Sequence, residues 1–476
     1  MESSALTFAV EIDVPSARYD DLFRYINQYF ILPSKEHFAN VKQTLVDGAT
    51  VISFTFLSSE GNWPIDVEIK TGKPIQVTMR PNLPNVPQAT LDILKGDLTT
   101  LFRFFEENVR RSTLYFTFIE GQKVKAEKSF LKRARILERI LLGNILFLFI
   151  ISIIFSIALF LIVPVSLYVL VIVVITVVLV TFSSRIVGGM ADWRVTEQNQ
   201  NVHVLQYNLP PEVYMDFPRK FSREKLLQMK GEIYDKTLAA GKPIECGTVQ
   251  EVMSKYGLEC RPENVTTKTV NVYQLVEKTA QQYNLPIPKI AIANTMIPNA
   301  AASGISPSHG VVLITTGLLV QLKADEILTV LGHEFSHLKA RDQLAIPVIY
   351  TTYWVFQFYV LAQYLVSYFS LLYLFLVYTG FFFIFKFFEA RADLDAAITI
   401  GSPKILAEAL RKIGFRRLES ERTKASRIGD WITWNTHPPI YFRVARLDNY
   451  AEKPVEVKHT LYQSAKDCLH GFVAAF

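Results

Sequence analysis

Residues 331–342 read LGHEFSHLKARD, a stretch that contains the pattern His-Glu-x-x-His. Because a helix turns by about 100° per residue, His333 and His337 would lie one turn apart on the same face, where both imidazoles can bind one ion. Glu334 would lie beside them, within reach of a water molecule that the ion activates. The pattern therefore predicts a helix that supplies two zinc ligands and a general base.

A third ligand is predicted from the segment that follows the last apolar run of the chain. Glu389 and Asp393 are four residues apart and so share one helical face. Glu389 completes a His-His-Glu zinc site and leaves the fourth position open for water. Asp393 is placed to accept the proton on the second ring nitrogen of His333. The alternative is a solvated acidic face to which Asp395 also belongs.

Two long runs without a charged residue predict four membrane-spanning helices arranged as two hairpins. They extend over residues 140–184 and 343–385, and each is long enough for two spans of about 20 residues. The predicted turns are at Pro164 and near residues 367–370. Basic residues flank both runs, which places the flanks, the zinc motif and the N-terminal region in the cytoplasm. The predicted location is the cell (plasma) membrane, with the lipid bilayer as one partner.

Composition supports a membrane protein and argues against nucleic-acid binding. Half of the 476 residues are hydrophobic, and the net charge of +6 comes from basic residues that cluster beside the apolar runs. The chain has three cysteines without close spacing, so neither a disulfide framework nor a cysteine-based zinc site is expected.

Residues 1–120 alternate like strands with two amphipathic helices between them, which predicts a soluble α+β domain. This region carries no catalytic motif, and substrate recruitment, regulation or partner binding are its open alternatives. The predicted domains are residues 1–120 (accessory α+β domain), 121–139 (basic juxtamembrane linker), 140–184 (first hairpin), 185–342 (first part of the domain that carries the zinc motif), 343–386 (second hairpin) and 387–476 (second part of that domain).

The segment around the zinc motif is expected to consist of a helix and short strands. Asp325 is the expected cap of the motif helix, which could continue into the third span. Short strands are predicted at Lys289 to Ala293 and Val311 to Thr315, with the small residues 299–304 between them.

The combination of motifs resembles the HtpX and CAAX-prenyl-protease family of membrane zinc metallopeptidases, over roughly residues 135–450. The resemblance rests on the motifs His333 to His337 with Arg341-Asp342, Glu389 with Asp393, Pro298-Asn299-Ala300, and Thr436-His437-Pro438-Pro439 with Arg443. Four spans in two hairpins are similar to the HtpX branch, whereas residues 1–120 fall outside the family pattern.

The resemblance implies a mainly α-helical, zincin-type (gluzincin) endopeptidase domain with one zinc ion per chain. It implies His333, His337 and Glu389 as ligands and Glu334 as the base. His437 is the candidate donor to the oxyanion, with Arg443 as a neighbour that orients its loop. A structural cap in a proline-rich turn is the alternative for His437.

A polypeptide, in the membrane or misfolded, is the expected substrate. An extended segment of it would pair with residues 311–315 or with the small residues upstream, Asn299, Ala300, Ala301 and Ala302. A prenyl-protein processing protease is one alternative function. A non-proteolytic membrane adaptor with a structural zinc site is another, although a closed structural site has no use for Glu334 as a base.

Overall fold

The computed structural model describes residues 5–15, 18–46, 48–58, 62–122, 154–155, 158–159, 161–209, 211–356, 370–454 and 459–476. The chain forms two compact units. The first consists of Met1–Phe116 and Leu205–Lys268, and the second of Thr117–Val204 and Thr269–Phe476. Residues 205–268 thus group with the N-terminal region, whereas the sequence-based division places them within residues 185–342.

The N-terminal part of the first unit is an antiparallel sheet of five strands covered by a long helix. In spatial order the strands are Leu6–Val10, Ile75–Pro81, Pro64–Lys70, Ala49–Leu57 and Phe38–Val46. Alternate residues such as Ile65, Val67 and Ile69 are buried, and helix Gln88–Arg111 buries Leu98 and Phe102 against the same core. This confirms the predicted α+β region, because the period of two marks strands and the period of 3.6 marks the helix.

An edge strand and the first helix complete this part of the fold. The strand Phe38–Val46 was not predicted, because it is an edge strand with most residues exposed and therefore has no apolar alternation. The first helix is Asp20–Ile26, which continues as the π-helical turn Asn27–Ile31 and the 3-10 segment Leu32–His37.

The rest of the first unit contains three α-helices and a disulfide. Its α-helices are Pro211–Lys220, Arg223–Lys236 and Cys246–Lys255. Cys246 and Cys260 are bonded, with Cα atoms 5.7 Å apart, so the expectation of no disulfide is wrong. Gly257, at φ +74°, reverses the chain after the last helix and returns Cys260 to its start, which spacing alone does not reveal.

The second unit contains a four-stranded sheet, whose strands in spatial order are Ala300–Ser303, Val311–Thr315, Lys289–Ala293 and Trp193–Val195. Val311–Thr315 is parallel to Lys289–Ala293 and antiparallel to Ala300–Ser303. The two predicted strands are therefore present, and the small residues between them form an edge strand. Below, Ala300–Ser303 is called the edge strand.

Helices make up most of the second unit. They are Val165–Gly189, Val272–Tyr283, Thr316–Gln321, Ala324–Ala340, Asp342–Phe356, Ser370–Ile400, Pro403–Ile413, Phe415–Ser420, Lys424–Ile432, Ile440–Glu452 and Thr460–Ala475. The zinc motif lies on Ala324–Ala340, called the motif helix. Glu389 lies on Ser370–Ile400, called the ligand helix.

The ends of the motif helix differ from the expectation. Lys323 is its N-cap, and the Lys323 N–H donates to the Glu326 carboxylate at 2.8 Å, so Asp325 lies in the first turn and is not the cap. At the other end Arg341 adopts a left-handed conformation, φ 57°, and a separate helix begins at Asp342. The motif helix therefore does not continue into the next apolar segment.

Close contact between the motif helix and the ligand helix brings the ligands together. A Cβ atom at Gly332 would lie 2.6 Å from Cγ1 of Ile400 and 3.5 Å from Cβ of Ala396. Only a residue without a side chain allows the two backbones to approach this closely. Because Gly332 directly precedes His333, this contact places the first histidine opposite the ligand helix.

The membrane predictions are only partly covered by the structure. Within the described residues, one helix, Leu167–Gly189, is long and apolar enough to cross a membrane. Of an apolar stretch of 18 residues in this helix, 6% is buried. It follows Pro164, where a turn was predicted. The basic run 123–139, residues 140–153 of the first hairpin and most of the turn of the second, residues 357–369, lie outside the described residues.

Candidate active site

Three side chains from two helices converge on one point of the second unit. His333 Nε2 lies 3.2 Å from His337 Nε2 and 3.2 Å from Glu389 Oε2. The other carboxylate oxygen, Glu389 Oε1, lies 3.6 Å from His337 Nε2. All three donor atoms lie within 4.8 Å of one another. The structure thus brings together the two motif histidines and the predicted third ligand.

Each histidine is oriented by a buried carboxylate on its other ring nitrogen. Asp393 Oδ1 lies 2.9 Å from His333 Nδ1, and Asp342 Oδ2 lies 2.7 Å from His337 Nδ1. An ionised carboxylate only accepts hydrogen bonds, so each Nδ1 donates to its carboxylate partner and each Nε2 is the nitrogen that faces the centre of the cluster.

These donors fit a transition-metal cation. Two lone pairs and a carboxylate that face one another repel unless a positive charge lies between them, and imidazole with carboxylate is a common zinc donor set. Burial alone would lower the pKa of His333, but Asp393 and Glu389 outweigh it and raise this pKa to about 10. The surroundings therefore stabilise positive charge at the centre.

Two arginines hold the orienting carboxylates. Arg443 makes a bidentate ion pair with Asp393, with both N–O distances 2.7 Å, and Arg391 donates to Asp342 at 2.6 Å. Burial would raise the pKa of Asp393, but the Arg443 guanidinium and His333 hold it well below its usual range. Arg443 thus contacts Asp393. From the resemblance, Arg443 was expected to orient the loop that carries His437.

Glu334, the expected base, faces the edge strand. Its carboxylate accepts a hydrogen bond from the Ala302 N–H at 2.8 Å. Asn299 lies just before the strand and donates its N–H to the Thr315 hydroxyl at 2.9 Å. The edge strand runs over Ala300–Ser303, so it includes three of the four residues proposed for substrate pairing and leaves out Asn299.

His437 lies at the open side of the cluster. Its Nδ1 is 2.8 Å from Glu389 Oε2, and its side chain is 47% exposed. The backbone N–H of His437 donates to Asn435 Oδ1 at 3.0 Å. The ring is therefore both near the ligands and open to solvent.

The comparisons with known proteins agree with this geometry. The sequence model of peptidase family M48 matches residues 266–451. The protease HtpX homolog of Thermococcus kodakarensis is 30% identical over 217 residues, covering 38% of this chain and 74% of that protein. The protease HtpX homolog of Paenarthrobacter aurescens is 32% identical over 214 residues, covering 39% and 73%. The chain belongs to peptidase family M48.

The M48 match covers the residues of the metal cluster. The chain spans 25% of the length of the protease HtpX homolog of Pyrococcus furiosus, to which it is 49% identical over 73 residues. The M48 match begins before the edge strand and ends after Arg443, so it includes all the candidate site residues. Residues 1–265 lie outside the M48 match.

Asp342 and Arg391 are not among the predicted site residues. In the structure Asp342 joins His337 to Arg391, and Asp395 accepts from the Ser336 hydroxyl at 2.8 Å. The sequence signal for this contact was Asp342 itself, a carboxylate five residues after the second histidine. Its contact with His337 depends on the helix break at Arg341. Helical periodicity cannot predict that geometry.

Removal of the Asp393 charge is expected to weaken both the M48 metal site and the fold. Asp393→Asn should lower zinc affinity by about 10- to 100-fold, because His333 loses its orienting carboxylate. It should also lower the free energy of unfolding by up to about 3–5 kcal/mol, since the Arg443 charge stays buried without its counter-ion. Zinc titration and denaturant unfolding measure the two effects.

The control is Asp448→Asn, which removes the same charge from a partly exposed ion pair with Arg411. Exposed pairs contribute at most about 1 kcal/mol, and this one lies outside the metal cluster. Equal zinc affinity of Asp393→Asn and the parent protein would contradict the orienting role of Asp393.

Proposed function

We propose that the protein is an integral-membrane, zinc-dependent endopeptidase that cleaves peptide bonds of membrane or misfolded proteins at the cytoplasmic face. The observation that carries this proposal is the convergence of His333, His337 and Glu389, with Glu334 beside them and facing an edge strand. A structural zinc site would need neither a neighbouring carboxylate that is not a ligand, such as that of Glu334, nor an adjacent strand edge.

The three donors would hold one zinc ion per chain. When bound, zinc acts as a Lewis acid and lowers the pKa of water towards neutrality. Glu334 is the general base: its carboxylate takes a proton from the attacking water and later returns it to the leaving amine. Asp393 and Asp342 keep the two imidazoles in the tautomer that presents Nε2 to the ion.

His437 is proposed as the side chain that stabilises negative charge on the scissile carbonyl oxygen. Nδ1 faces Glu389, so Nε2 is the nitrogen left for a substrate atom, and it donates to that atom when the ring carries both protons. One oriented donor at such an oxygen contributes about 3–4 kcal/mol to transition-state binding. Arg443 acts at a distance, by fixing Asp393 and through it His333.

The edge strand is proposed to bind the substrate backbone. Its other side pairs with Val311–Thr315, so one edge faces the site, and the Ala302 N–H points at Glu334. An extended peptide that adds as a further strand would run past the general base. Strand addition recognises backbone groups, which suits a protease for unfolded segments of varied sequence.

The proposed membrane location rests on two charge-free runs, residues 140–184 and 343–385. We propose that these runs form four membrane spans whose flanks lie in the cytoplasm. The exposed apolar helix Leu167–Gly189 supports one of these spans. The plasma membrane is the proposed site, and residues 1–120 are proposed to bind a regulatory or substrate partner.

Incubation of the zinc-loaded protein with an unfolded polypeptide tests the activity. Cleavage is expected, it should stop when a chelator removes zinc, and it should return when zinc is added back. A lipidated C-terminal peptide is the discriminating second substrate, because a prenyl-protein processing protease would cleave it alone. Zinc-loaded protein that cleaves neither substrate would favour the adaptor and contradict the proposed peptidase.

A further inference from the structure

The C-terminal helix Thr460–Ala475 runs antiparallel to the ligand helix, towards its apolar half. Cys468 Sγ lies 3.8 Å from the Lys386 carbonyl oxygen, and the rings of Phe472 and Phe383 are 5.4 Å apart. Later residues of one helix therefore meet earlier residues of the other. Phe383 belongs to the charge-free run 343–385, so the last turns of the C-terminal helix lie beside a proposed membrane span.

The outer face of this helix is apolar and exposed. Tyr462, Leu469, Val473 and Phe476 follow one another at spacings of seven, four and three, which places them on one helical face. Val473 is 70% exposed and Phe476 60%. Large apolar residues that share an exposed face mark an interaction surface rather than chance exposure.

A groove of about 1000 Å³ opens next to the same helix, and five of the residues that line it are cations. Its basic side chains are Arg422, Lys424, Arg427, Arg446 and Lys453. The two acids that line it are Glu452 and Asp467, and Asp467 is paired with Arg446 at 2.7 Å. The groove therefore has an excess of positive charge among the described residues that form it.

The walls of the groove are apolar and adjoin the exposed face. Tyr441, Phe442 and Tyr450 line it, together with Gly471 and Ala474 of the C-terminal helix. The Arg427 guanidinium lies 4.8 Å from the centre of the Tyr441 ring, so this cation is held at an apolar wall. Positive charge beside an aromatic surface matches an anionic headgroup that carries acyl chains.

We propose that the C-terminal helix and this groove form a membrane-binding surface that holds an anionic phospholipid. The groove binds the headgroup phosphate, and the exposed face from Leu469 to Phe476 contacts the acyl region. This inference rests on the proposed membrane location of residues 343–385. The surface would fix the depth of the metal cluster at the bilayer, because Glu389 lies on the helix against which the C-terminal helix packs.

Spin labelling tests the depth of the helix. The full-length Val473→Cys protein is labelled and placed in nanodiscs of phosphatidylcholine and phosphatidylglycerol, with Lys404→Cys as an exposed control site. Cys468 is buried and the other two cysteines are bonded, so unsubstituted protein gives the background. The Val473 label should be more accessible to oxygen than to a water-soluble nickel complex, and the control label the reverse. Greater nickel access at Val473 would overturn the proposed insertion.

Lipid titration tests the groove. Native mass spectrometry in detergent should show that Lys424→Gln/Lys453→Gln binds short-chain phosphatidylglycerol about tenfold more weakly than the parent. The matched control Lys278→Gln/Lys404→Gln removes two exposed lysines outside the groove and should bind normally. Equal affinity of both variants would overturn the proposal, and so would binding of inorganic phosphate as tight as that of the lipid. Carbonate extraction tests the membrane spans separately: release of the protein would contradict those spans without affecting the groove measurement.

Discussion

Replacement of Glu334 with glutamine should reduce peptide cleavage by about a thousandfold while zinc stays bound. The general base in a hydrolase contributes about 10²–10⁴ to the rate, and an amide cannot take the proton from water. The glutamine carbonyl can still accept the Ala302 N–H, so the edge strand should keep its position. Cleavage kinetics and zinc content of the purified variant measure the two halves of this expectation.

The matched control for Glu334→Gln is Asp325→Asn, which removes an exposed carboxylate from the first turn of the same helix. Its activity should equal that of the parent protein. Full activity of Glu334→Gln would contradict the assignment of the base. Loss of zinc from Glu334→Gln would instead indicate that Glu334 is one of the zinc ligands.

Replacement of Glu389 with glutamine should abolish activity by a different route, through loss of the metal. A neutral amide of the same size is a poor zinc ligand, and it removes the negative charge that faces both Nε2 atoms. Loss of an outer-shell partner costs about 10- to 100-fold in metal affinity, so loss of a ligand should exceed about a hundredfold. Competition with a chelator of known affinity measures this change.

Excess zinc should partly restore the activity of Glu389→Gln but not that of Glu334→Gln, because only the first variant is limited by binding. Glu408→Gln, on the neighbouring helix Pro403–Ile413, is the control for an exposed glutamate. Zinc affinity equal to the parent's in Glu389→Gln would show that the third ligand lies elsewhere.

The sequence predicts those parts of the site that depend on spacing within one helix. His333 and His337 are one turn apart, and Glu389 with Asp393 are likewise one turn apart, so local periodicity already places each pair. The resemblance of the motifs then relates the two helices to one another. The structure adds the reason for their approach, which is the absence of a side chain at Gly332.

Contacts that depend on chain reversals could not be predicted in this way. Asp342 reaches His337 because the helix breaks at Arg341, and Arg443 reaches Asp393 although the two are 50 positions apart in the sequence. The same limit explains the disulfide between Cys246 and Cys260, which follows from a turn at Gly257. In the N-terminal sheet, strands with one buried face were predicted, whereas the exposed edge strand Phe38–Val46 carries no pattern to recognise.

X-ray absorption at the zinc edge, on the purified and zinc-loaded protein, tests the central claim most directly. That claim is an open site made of two histidines and one carboxylate. The account predicts one zinc per chain, with nitrogen and oxygen neighbours at about 2.0–2.2 Å, two of them imidazoles, and a solvent ligand that an added inhibitor can replace. Sulfur neighbours at about 2.3 Å, or a closed shell of four protein ligands, would contradict it.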